Sequence, residues 1–128
     1  MTDTISIRAM CETFAVTPRT LRFYEQKELL TPVRQGTRRL YTKRDRARLT
    51  LILRGKRFGF SLEDIRQLLD MYDRDGNQSQ LERTFVLAND RLAQMEAQRA
   101  ELSLAIDELK AEIAQGAAMI ASLRQAAE

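Results

Sequence analysis

Thr17-Pro18-Arg19-Thr20-Leu21-Arg22-Phe23-Tyr24-Glu25 is the stretch on which the fold turns. A threonine cap followed by proline at the first helical position is a strong helix start, because proline gives up an N–H that the first turn leaves unpaired anyway. Arg19 and Arg22, three residues apart, fall on one face of that helix beside the aromatic pair Phe23-Tyr24. Leu21 falls on the opposite face and points inward. Upstream, Ile7, Met10, Cys11 and Phe14 form one apolar stripe of a two-turn helix with Ser6 as its cap, and Ala15-Val16 makes the turn between the two. This pair is a helix-turn-helix, whose second helix, from about Pro18 to Lys27, enters a major groove. Arg19 and Arg22 could each fork onto a guanine or clamp a phosphate, and the sequence does not choose between these.

Downstream, Leu29-Leu30-Thr31-Pro32-Val33 ends the helix and extends the chain. Gln35-Gly36-Thr37 is a turn signal, and Arg39-Leu40-Tyr41 alternates in the manner of a strand. The expectation is a two-stranded wing whose Arg34, Arg38 and Arg39 grip phosphates and so position the protein without reading sequence. Thr42 with Asp45 opens the next helix through a capping box, and Ser61 with Asp64 opens another. Gly55 inside the first of these costs about 1 kcal/mol relative to alanine; it either allows close backbone packing or is a tolerated defect, and the sequence does not choose. Leu62, Ile65, Leu69 and Tyr72 form the buried stripe of the second. Asp73-Arg74-Asp75-Gly76-Asn77 then breaks the pattern and divides the chain into residues 1–75 and 76–128.

The second part reads differently. Leu81, Phe85, Ala88, Leu92, Met95, Arg99, Leu102, Ile106, Leu109 and Ile113 alternate by four and three, the seam of a coiled coil. A helix over residues 79–114 would be roughly 54 Å long at ~1.5 Å per residue. Nothing in so short a chain covers such a seam, so a second copy is expected to, and Arg99, the charged seam position, must find an acid or leave the seam. Gly116 is expected to end this helix, with a short terminal helix over residues 117–123 folding onto the partner.

Composition narrows the function. The chain of 128 residues is 44% hydrophobic and 30% charged, which fits a soluble folded protein. It has no membrane-length apolar run and no secretory signal, so a cytoplasmic location is expected. Residues 1–57 carry 14 Lys/Arg against 5 Asp/Glu, whereas residues 58–75 carry 2 against 5 and residues 76–128 carry 5 against 8. The basic first half is the footprint of a nucleic-acid binder. There is one cysteine, Cys11, and no histidine, so neither an intrachain disulfide nor a zinc-ligand set is available, and no cofactor is expected. Without histidine, a glycine-rich phosphate loop or a nucleophile paired with a base, an enzyme is disfavoured, and Glu63-Asp64 reads as a helix-start charge pair. The competing reading is a coiled-coil adaptor whose basic domain binds RNA or acidic protein.

Thr17 to Glu25, Leu29-Leu30, Arg39-Leu40-Tyr41 and Phe58-Gly59-Phe60-Ser61-Leu62-Glu63-Asp64-Ile65 together resemble the MerR family of bacterial transcriptional regulators, in family order over about residues 5–72. The resemblance implies a mainly α fold: a winged helix-turn-helix followed by a long helix that pairs antiparallel in a homodimer. It implies binding to a pseudo-palindromic promoter site, distortion of the DNA between half-sites, and RNA polymerase as a neighbour at the promoter. Carried over by position, the DNA contacts would be Thr17, Arg19, Thr20, Arg22, Phe23 and Tyr24 on the reading helix and Arg38, Arg39 and Tyr41 on the wing. The dimer contacts would be Leu81, Phe85, Ala88, Leu92, Met95, Leu102, Ile106, Leu109 and Ile113.

The chain departs from the family pattern at Ala15, where glycine is usual, at Arg38, where an aromatic is usual, and at Arg46, where an apolar residue is usual. Metal-sensing and redox members resembling this chain carry cysteines around the long helix. Here no cysteine follows position 11, which excludes both mechanisms on ligand grounds. The large C-terminal domain of drug-sensing members is not expected either. The stretch Leu51 to Arg57 is similar to a short subgroup linked to branched-chain amino-acid and acyl-CoA catabolism. A small-molecule effector is left open and unidentified.

Overall fold

The computed structural model describes residues 3–128, and its elements run β1 (Ile5–Ser6), α1 (Ile7–Phe14), α2 (Pro18–Gln26), β2 (Val33–Gln35), β3 (Arg38–Tyr41), α3 (Lys43–Arg57), α4 (Leu62–Asp75) and α5 (Asn77–Ala126). They form two compact units, Met1–Val86 and Leu87–Glu128.

Each of α1 to α4 starts at a side-chain cap. Ser6 Oγ accepts from Ala9 N–H at 3.1 Å, Thr17 Oγ1 from Thr20 N–H at 3.2 Å, and Ser61 Oγ from Asp64 N–H at 3.0 Å. Thr42 and Asp45 complete a full capping box. Asp45 is wholly buried, and its other oxygen accepts from Thr31 N–H at 3.1 Å, so one carboxylate both starts α3 and fixes the chain leaving α2. That chain leaves through Glu28 at φ 60°, a left-handed turn that sends Leu29 and Leu30 into the core at 0% exposure. Met10, Leu21, Tyr24, Tyr41, Leu49, Ile52, Ile65 and Leu69 complete that core.

The expected two-stranded wing is a three-stranded antiparallel sheet in the order β1-β3-β2. Ile5 pairs with Tyr41 and Ser6 with Leu40, while Arg34 faces Arg39 and Gln35 faces Arg38. A strand of two residues is too short to show alternation, so β1 left no mark in the sequence pattern.

α3 and α4 meet at Gly55, where an added Cβ would lie 2.8 Å from Ile65 Cγ1. Arg48 crosses behind them, its Nε donating to Leu29 O at 2.8 Å and its Nη1 to Asp73 Oδ2 at 3.0 Å. Arg46, the departure in α3, pairs with Asp3 at 2.9 Å and reaches Tyr41 O. Of the expected α4 stripe, Ile65 and Leu69 are buried, but Tyr72 is half exposed. Gly76 at φ 83° closes α4, as the break signal predicts.

α5 is one helix of 50 residues. The break expected at Gly116 is absent, and residues 117–123 continue the same helix instead of forming a separate one. One glycine costs a helix only about 1 kcal/mol, which the alanine-, leucine- and isoleucine-rich turns around it offset. With the helix unbroken, the four-three spacing runs on from Ile113 through Gly116, Ile120 and Leu123. Within the single chain Leu81, Phe85, Leu92, Met95, Leu102, Ile106, Leu109 and Ile113 are all exposed. No helix among the described residues is long and apolar enough to cross a membrane.

Candidate nucleic-acid interface

The turn before α2 is tight because Ala15 sits in the left-handed region at φ 53° and ψ 47°. It is a conformation that glycine adopts more cheaply, so the departure at this position carries some backbone strain. Val16 N–H donates to Cys11 O at 3.1 Å and closes the turn. Thr17 and Thr20 hydroxyls lie 3.0 Å apart, so the start of α2 is stitched by side chains as well as by the cap.

α2 is sharply two-sided. Leu21 is fully buried and Tyr24 is 6% exposed, anchoring the helix from beneath. Arg19, Arg22 and Phe23 stand on the solvent side. Lys27 Nζ lies 5.6 Å from the Phe23 ring centre, a cation over an aromatic face. Arg19, Thr20, Phe23, Tyr24 and Gln26 line a hollow of about 540 Å³. Among the described residues, Arg19 and Arg22 have no ion-pair partner, so both guanidiniums are available to an anion or a base edge.

The wing sorts its residues by strand alternation. Arg39 and Tyr41 share the inner face of β3, and Arg38 and Leu40 share the other. Arg38 is exposed and, among the described residues, unpaired. Arg39 is turned toward α2, where its Nε donates to Glu25 Oε2 at 2.7 Å. Arg34, opposite Arg39 on β2, donates to Glu25 Oε1 at 2.7 Å. Burial pushes the Glu25 carboxyl up, but the hydrogen bonds and charges of Arg39 and Arg34 outweigh it and hold it below the usual carboxylate range.

Tyr41 requires a correction. It is 0% exposed and belongs to the core, so its ring cannot grip DNA from the wing surface; burial raises its hydroxyl pKa, and that hydroxyl has no hydrogen-bond partner among the described residues. Tyr24 is likewise a core residue whose role on α2 is support. Glu25, to which the motif reading assigns no contact, joins α2 to the wing. Its partners lie nine and fourteen residues downstream across a turn, a separation that no helical or strand spacing rule registers.

Two family models match this chain: MerR HTH family regulatory protein over residues 5–72 and MerR, DNA binding over residues 46–111. The chain belongs to the MerR family. The HTH-type transcriptional regulator ZntR of Escherichia coli K12 is 41% identical over 89 residues, covering 68% of this chain and 62% of ZntR. CueR of Yersinia pestis is 34% identical over 70 residues, covering 53% and 50%. The chain thus spans about three-fifths of the length of the ZntR that it matches.

Among solved structures, HiNmlR, a MerR family regulator lacking the sensor domain and bound to promoter DNA, is 28% identical with a TM-score of 0.60, covering 81% of this chain and 79% of its own. PbrR691 of Ralstonia metallidurans CH34, in complex with lead(II), is 28% identical with a TM-score of 0.66, covering 82% of each. In the present MerR-family chain, no group of three or more His, Cys, Asp or Glu among the described residues is placed to hold a metal ion. Cys11 is half-buried in α1, and burial raises its thiol pKa.

Proposed function

We propose that this MerR-family chain is a sequence-specific transcription regulator that binds a pseudo-palindromic promoter site as a homodimer and distorts the DNA between the half-sites. The observation that carries this reading is the outer face of α2, where Arg19 and Arg22 stand exposed and unpaired on a helix anchored by Leu21 and Tyr24. A guanidinium held on a rigid helix can present two donors to a guanine edge, which is worth about 1–3 kcal/mol of discrimination per good contact. Thr17, Thr20 and Phe23 flank the two arginines, and Arg38 supplies a phosphate contact from the wing. Residues 1–75 are the DNA-binding part and residues 76–128 the pairing part. The exposed seam from Leu81 to Ile113 is the surface that a second copy covers. The likeness to HiNmlR, solved on promoter DNA, supports the same partner here. RNA polymerase is then the neighbour at the promoter, and the cytoplasm is the compartment.

The test is selection of genomic fragments by the purified chain across a salt series. The expected result is one enriched palindrome, bound with an affinity that falls steeply with salt. Arg22→Ala should then lower discrimination at one base pair in each half-site by about 1–3 kcal/mol. Fragments enriched without any palindrome would overturn the reading.

A further inference from the structure

Arg34 and Arg39 face each other across β2 and β3, and two like charges placed directly opposite on a strand pair repel. The arrangement needs an anion between them, and Glu25 supplies it, one carboxylate oxygen to each guanidinium at 2.7 Å. The three side chains are 20% (Glu25), 23% (Arg39) and 50% (Arg34) exposed, so the cluster lies at the edge of the surface, where a DNA phosphate could compete for the same guanidiniums. A phosphate oxygen and a carboxylate oxygen offer an arginine the same charge-assisted fork. The neighbouring Arg38, on the other face of β3, has no such internal partner among the described residues.

We infer that Glu25 is a specificity-determining positioning residue: its carboxylate parks Arg34 and Arg39 on the reading helix and withholds both from DNA phosphates. The inference rests on the DNA-binding reading above. Phosphate contacts bind every sequence alike, whereas Arg19 and Arg22 on α2 are placed to read bases. By occupying two wing guanidiniums internally, Glu25 lowers affinity for arbitrary duplex while leaving the reading helix free. It also ties the wing to α2, so the remaining phosphate contact at Arg38 is made at a fixed angle to the bases.

The experiment measures affinity of the full chain for a random-sequence duplex and for the selected palindrome, over a salt series, for the wild type, Glu25→Gln and Arg34→Ala. Removing the charge in E25Q frees the arginines. The random duplex is then bound more tightly, the slope of log affinity against log salt steepens by about 0.9 for each guanidinium released, and the ratio of palindrome to random affinity falls. R34A, at the most exposed member of the cluster and so the least disruptive to folding, should leave the wild-type slope on random duplex unchanged. An E25Q slope equal to that of the wild type overturns the inference, as does equal weakening on both duplexes at constant slope, which is the mark of a purely structural strap. A slope flattened by about 0.9 in R34A also overturns it, since Arg34 would then already hold a phosphate. These results leave the DNA-binding reading standing. A wild type that binds neither duplex in a salt-dependent way takes down that reading and the inference together.

Discussion

At Gly55 the third helix has no room for a side chain. A methyl group there would lie 2.8 Å from Ile65 Cγ1 and 2.9 Å from Cδ1, and Ile65 is itself 2% exposed with nowhere to retreat. Two effects oppose each other in Gly55→Ala. Helix propensity favours alanine by about 1 kcal/mol. Overpacking a close-fitted core costs about 1–3 kcal/mol. Because Ile65 is hemmed in, packing should win, and the variant should be less stable by about 1 kcal/mol in a urea titration. An equal or higher midpoint would mean that Ile65 yields and that the glycine is a tolerated defect. The same scale holds the least legible parts of the site. Arg39 and Tyr41 look alike in the sequence as wing residues, yet alternation puts both on the inner face, one against Glu25 and one in the core. Nothing local in the sequence says which face of so short a strand is inward, since that is decided by what β3 packs on.

Elements were legible where the signal is short-range. Caps at Ser6, Thr17, Thr42 and Ser61, the proline at position 18 and the break at Gly76 each act within four residues, and each does in the structure what its chemistry dictates. The exceptions are instructive in the same terms. β1 has two residues and exists only because β3 offers it an edge. Gly116 reads as a stop, but a stop needs competing backbone bonds or a turn-former beside it, and Ala114, Gln115, Ala117 and Ala118 provide neither. A glycine in a continuous helix leads to a direct expectation. The space around Gly116 is open, with nothing within 4 Å of an added Cβ, so Gly116→Ala should gain up to about 1 kcal/mol of helix stability. Thermal unfolding followed by far-ultraviolet circular dichroism should therefore move to higher temperature. A shift to lower temperature would indicate that the position turns the chain, or that a partner's side chain needs the space.

The whole molecule divides its labour by charge and by hydropathy. The positive charge is concentrated in residues 1–57, while α5 exposes Leu92, Met95, Leu102, Ile106, Leu109 and Ile113 along one seam. Covering a leucine of this kind is worth about 1.5–3 kcal/mol, so a seam of such residues gives a strong incentive to pair. Pairing also matters to recognition, because one short helix reads too few bases to find a promoter and a palindrome demands two. Leu102→Asp tests both claims in one variant. It puts a carboxylate into the seam of each copy, where burial without a partner costs more than the leucine contributes. The residue is exposed in the single chain, so the first unit should still fold. Sedimentation should show a monomer, and palindrome affinity should fall to the level of random duplex, on the order of 10⁻⁴–10⁻⁶ M at physiological salt. A variant that remains dimeric would locate the pairing surface away from this seam. A monomer that keeps full affinity for the palindrome would mean that one α2 suffices, and the two-copy reading of the site would fall with it.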